Sequence, residues 1–121
     1  MSFRDTRTHL THILEASLAL ADFLKGFNLE AYRADLKTRS AVERQLKNLT
    51  EAAFRLGSNA ERLCPSVDWR GVRGLGNALR HEYDVIDDDV IWAASHDKLP
   101  SLQVAVQSAL VNTQKGEADP A

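Results

Sequence analysis

The sequence is short of the residues that staple, break or bend a chain. It has one cysteine, Cys64, in 121 residues, so no internal disulfide forms, and no motif gives that thiol metal-ligand spacing. A lone thiol fits a reducing compartment, and the expectation is a cytoplasmic protein. No run approaches the roughly 18 apolar residues that a membrane span requires. The opening MSFRDTRTHLTHILEASLAL interleaves His, Thr and Glu with its apolar positions, unlike a signal peptide. No membrane partner is expected. A strong excess of either charge is also missing: 15 Lys and Arg stand against 17 Asp and Glu, a net charge of −2. That balance excludes a protein that coats nucleic acid by bulk charge, so any contact with RNA has to be local. The alternating pattern of β-strands is absent as well.

What remains is helical. Apolar residues make up 44% and charged residues 26%, enough for one hydrophobic core but not two. Leu10, Ile13, Leu14, Ser17, Leu18, Ala21 and Leu24 trace the stripe of a first helix, with Asp5 as its expected N-cap and Gly26 as its stop. Asn28 is placed to cap a short segment, LEAYRADL. A long helix follows from about Lys37 to Leu56 and ends at Gly57-Ser58-Asn59. Pro65 breaks the chain, and Asp68 caps a helix starting at Trp69 with Val72, Leu75 and Leu79 as its core stripe. Pro100 is expected to begin the last helix, which buries Leu102, Val106, Ala109 and Leu110. The reading is all-α: an up-and-down bundle of four main helices plus short segments, one domain over 1–115, and a disordered tail over 116–121.

Several charged or aromatic groups have ordinary explanations. Arg39, Glu43, Lys47, Glu51 and Arg55 alternate in sign at four-residue steps, the mark of a solvated helix face. Asp87-Asp88-Asp89 precedes VIWAA, where helix capping accounts for it better than a metal site. His9 and His12, with Glu15, lack a further ligand, and a solvated helix start explains them. His96 is expected near a helix C-terminus, and Phe3, Arg4 and Arg7 in a flexible N-terminal arm. Trp69 and Trp92 read as packing residues. No metal and no cofactor is expected.

The stretch RGLGNALRHEYD, residues 73–84, is different. On a helical wheel Arg73, Asn77, Arg80 and His81 fall within an arc of about 100°, opposite Leu75 and Leu79. One helix face then carries two guanidiniums, an amide and an imidazole. Cleavage of a phosphodiester without metal uses such groups: a cation for the phosphate, and an imidazole to move protons near neutral pH. Attack by a ribose 2′-hydroxyl on its own phosphate needs no Ser or Cys nucleophile. Tyr83 lies about 200° round from His81 if the helix continues, so His-x-Tyr asks for a helix end here.

These residues carry a family resemblance. WRGVRGLGNALRHEYDVIDDDVIW resembles the signature of HepT-like toxins, in the HEPN group of small helical ribonucleases, and the likeness covers about residues 10–112. It implies an all-helical homodimer that cuts RNA without metal in a cleft at the subunit interface. It implies the toxin of a toxin–antitoxin module, with a MntA-type nucleotidyltransferase as partner and Tyr83 as the tyrosine to which that partner transfers AMP. Asn77, His81 and Tyr83 match the family motif. The motif arginine usually precedes the asparagine, and Gly76 stands there instead. Arg73 and Arg80, one turn to either side, are the replacements for the phosphate anchor. Gly76 leaves space for such a stem or for a close-packed backbone. The alternative is a non-catalytic HEPN module that is only the partner or substrate of the nucleotidyltransferase.

Overall fold

Serine, not aspartate, opens the first helix. A computed structural model of the chain describes residues 2–81 and 87–116, with the side chains of 115 and 116 excepted. In α1 (Phe3–Leu24) the hydroxyl of Ser2 accepts from the Asp5 backbone N–H at 3.0 Å. Asp5 therefore sits in the first turn, where its charge faces the positive helix end. Phe3, Arg4 and Arg7 are helical, not a flexible arm. Arg7 Nη1 donates to the Leu110 carbonyl at 2.8 Å and to Thr113 Oγ1 at 2.6 Å, tying the start of the chain to its last helix. The buried face runs through Leu10, Ile13, Ser17, Leu20 and Leu24, whereas Leu18 and Ala21 turn outward. Gly26, at φ 84°, stops α1 in the left-handed region.

Side-chain oxygens open four of the later helices as well. Asn28 caps α2 (Leu29–Ala34), Asp35 caps α3 (Leu36–Leu56), and Gly57, at φ 57°, closes α3. One turn, α4 (Asn59–Leu63), precedes α5 (Trp69–Arg80), where Asp68 accepts from the Gly71 N–H at 3.0 Å. Asp87 caps α6 (Asp88–Ala93), accepting from the Asp89 N–H at 2.9 Å. Asp88 and Asp89 lie beside Arg39 and Arg33 respectively.

Pro100 does not begin a helix. The chain is helical from Asp88 onward, passing through a π-helical turn at Ala94–Lys98 into α7 (Leu99–Gly116). A proline ring clashes with the carbonyl four residues back, and the wider π turn directly before Pro100 relieves that clash. His96 consequently lies within a helix, its ring stacked on Trp92 at 5.1 Å, and Trp92 in turn packs on Tyr32 at 5.5 Å.

The four long helices α1, α3, α5 and α7 build an all-α bundle. α1 packs between α3 and α7, and α3 packs between α1 and α5. No strand occurs among the described residues. Ile13, Leu46, Leu56, Trp69 and Val106 meet in a shared core, each such side chain contributing about 1.5–3 kcal/mol by burial. The Trp69 indole N–H donates to the Cys64 carbonyl at 2.9 Å. Burial pushes the Cys64 thiol up to about 11, so it is no nucleophile at neutral pH. Among the described residues no helix is long and apolar enough to cross a membrane. Tyr83 and residues 117–121 lie outside the described residues.

Candidate functional site

Helix α5 ends where the sequence asks for an end. Arg80 is its last helical residue, and His81 leaves the helix in an extended conformation, its backbone N–H donating to the Ala78 carbonyl at 3.3 Å. The exposed imidazole therefore stands at the rim of the helix. A guanidinium in this last turn also meets the negative end of the helix dipole.

Arg80 is held from three sides. Its Nη2 donates to Asn77 Oδ1 at 2.9 Å and its Nη1 to Glu51 Oε2 at 3.4 Å, while the guanidinium carbon lies 5.1 Å from the centre of the Phe54 ring. A planar cation over an aromatic face, with a carboxylate and an amide at its edges, has few rotamers left to lose on binding. Its side chain is still 43% exposed, so N–H groups remain for an anion. Arg44, Lys47 and Asn48 of α3 line the adjoining cleft of about 330 Å³. Glu51 also bonds Arg55 at 3.2 Å, so one carboxylate links two guanidiniums.

Arg73 points elsewhere. Its Nη1 and Nη2 grip both oxygens of Glu61 at 2.6 and 2.8 Å, and Nη2 also donates to the Gly57 carbonyl at 2.8 Å. The bidentate bond to Arg73 lowers the Glu61 carboxyl from its ordinary range, and the same bond raises the guanidinium. Seven residues of helix separate Arg73 from Arg80, about 10 Å along the axis. The wheel puts them on one face. The neighbouring elements give each a different carboxylate, Glu61 of α4 for Arg73 and Glu51 of α3 for Arg80.

Gly76 explains why α5 can lie so close to α3. It is buried, and a Cβ built there would stand 2.8 Å from Thr50 Cβ and 3.0 Å from Thr50 Oγ1. Contact at that range involves the root of a side chain, which moves only with its helix. The missing side chain lets the two helices touch, and this closeness sets Arg80 against Glu51 and Phe54.

A family model described as "Ribonuclease HepT-like" matches residues 13–109. The chain belongs to this HepT-like family. It is similar to a protein of Thermococcus cleftensis named "Probable ribonuclease HepT", with 30% identity over 83% of this chain and 91% of that one. It is also similar to a Methanocaldococcus jannaschii protein named "Putative RNase MJ0127", with 32% identity over 84% of each chain. No solved structure matches it.

In this HepT-like chain the structure brings Asn77, Arg80 and His81 to one end of α5 and sets Arg73 apart, while Tyr83 lies outside the described residues. Glu51, which the sequence places in a charged row along α3, bonds both Arg80 of the site and its helical neighbour Arg55. Phe54 is absent from the sequence reading. Its signal is a large apolar side chain one turn past Glu51 on a polar row, 59% exposed in the fold. Among the described residues no group of three or more His, Cys, Asp and Glu is placed to hold a metal ion.

Proposed function

We propose that this HepT-like chain is a metal-independent endoribonuclease, the toxin of a toxin–antitoxin module. Arg80 anchors the scissile phosphate, Asn77 orients Arg80 and the ribose or phosphate, and His81 carries the proton. The observation behind this reading is the Arg80–Asn77 hydrogen bond beside an imidazole at the open end of α5. The ribose 2′-hydroxyl loses its proton to imidazole and attacks the adjacent phosphorus. The bond to the 5′-oxygen breaks, a proton is returned to that oxygen, and a 2′,3′-cyclic phosphate and a 5′-hydroxyl result. Two copies pair so that both sites face one groove. A MntA-type nucleotidyltransferase is the antitoxin in this reading, adding AMP to Tyr83 close to the cleft.

The non-catalytic alternative treats Gly76 as a lesion. Packing against Thr50 gives that glycine a structural role of its own, which supports the catalytic reading. Cleavage of single-stranded RNA in excess chelator tests the proposal. The expected products carry 2′,3′-cyclic phosphate ends, and a strand with deoxyribose at the cleaved step stays whole. Activity that vanishes with chelator and returns with a divalent cation contradicts it.

A further inference from the structure

We infer that the α5 site opens into a furrow that carries the flanking single-stranded RNA across α3 to the first turns of α1. The inference rests on the nuclease reading for the identity of the polymer. Three clefts adjoin. The cleft beside Arg80 shares Asn48 and Glu51 with a second, of about 670 Å³, where Arg55 of α3 faces His9 and His12 of α1. The second shares His12 and Glu15 with a third, of about 540 Å³, at Arg4 and Arg7. Common walls make the path continuous.

Its charge opposes that of the whole chain. Arg4, Arg7, Arg44, Lys47, Arg55 and Arg80 line it against the carboxylates of Glu15 and Glu51, whereas the chain has a net charge of −2. The remaining surface is therefore acidic overall, and a polyanion is steered to this one strip. Arg44, Lys47, Glu51 and Arg55 recur at three- and four-residue steps along α3, a stripe of about 16 Å that spans several phosphates. Lys47, Glu51 and Arg55, which read as part of a solvated face in the sequence, belong by this inference to the floor of the furrow. Phe3 lines the far end, giving a base a flat surface to stack on, and the exposed Phe54 stands beside the near end with Arg80 over one face of its ring. Phosphate contact with stacking holds a strand without reading its sequence. The inferred ligand is single-stranded RNA of weak sequence preference.

The double variant Arg4→Ala/Arg55→Gln tests the furrow, since both side chains are exposed and the glutamine amide keeps a donor beside Glu51 while the charge is lost. Its affinity for a 2′-O-methyl oligouridine should fall by about tenfold or more. The slope of log affinity against log salt should shrink by about 0.7 for each phosphate that the variant no longer neutralises. KM for long RNA should rise with kcat unchanged, and cleavage of a dinucleoside monophosphate should stay within about twofold of wild type. Unchanged affinity and slope overturn the furrow. A shift of the variant to a smaller species in sedimentation, with affinity per folded site unchanged, also overturns it and makes the strip a protein interface. If the wild type cuts no RNA but the variant still loses oligouridine binding, the furrow stands and the nuclease reading falls.

Discussion

Replacing His81 with alanine is expected to lower the single-turnover rate of RNA cleavage by about 10²–10⁴-fold, with little change in KM. The backbone is spared by this change. His81 closes α5 through its own N–H, and alanine retains that bond to the Ala78 carbonyl. The imidazole is exposed, so its removal leaves no cavity in the core. Arg80, Asn77 and Glu51 keep their mutual hydrogen bonds, and the RNA remains bound. What disappears is the group that takes and returns the proton. Helical circular dichroism and melting close to wild type, alongside the reduced rate, are the expected pair of results. Cleavage within about threefold of wild type, measured on the same RNA, removes His81 from the mechanism.

Gly76→Arg, which restores the arginine implied by the sequence resemblance, should destabilise the protein rather than activate it. A Cβ at this position meets Thr50 Cβ at 2.8 Å, and a guanidinium stem there enters the α3–α5 contact. Overpacking of this kind costs about 1–3 kcal/mol, and burying an unpaired charge adds to it. Gly76→Ala separates the two effects. An alanine in an open helix gains about 1 kcal/mol over glycine, but here the clash outweighs that gain. The expected net loss is up to about 2 kcal/mol, a drop of several degrees in Tm. Gly74→Ala is the control on the same helix, because nothing lies within 4 Å of its added Cβ. It should raise Tm. Thermal melts of the three variants check the ordering, and a Gly76→Arg protein that melts like wild type and cuts faster contradicts it.

Helix ends are the most legible part of the fold. Asn28, Asp68 and Asp87 cap the helices their positions announce, and Gly26 adopts the left-handed turn expected of a stop. These are local matters, decided within four residues of chain. Two other features escape such local reading. Asp5 resembles a cap because Ser2, three residues earlier, takes the N–H that marks the true one. Pro100 resembles a helix start because a π turn that absorbs a proline leaves no mark in hydrophobic periodicity.

The site divides in the same way. Asn77, Arg80 and His81 are readable as one face of one helix. Choosing between Arg73 and Arg80 is not, because it depends on which carboxylate of another element lies opposite. Glu61 of α4 takes Arg73, and Glu51 of α3 meets Arg80. Gly76 looks like a gap in a motif until Thr50 is seen across from it. Phe54 enters only through the packing of α5 on α3.

Comparing Arg80→Ala with Arg73→Ala in single-turnover cleavage, each corrected for its folded fraction, tests the choice of phosphate anchor most directly. Removing the guanidinium that meets the phosphate costs a rate factor of about 10²–10³. Arg80→Ala should show that drop, and Arg73→Ala a rate within a few-fold of wild type despite lowered stability. Full activity without the Arg80 guanidinium, with activity abolished without that of Arg73, would contradict the assignment.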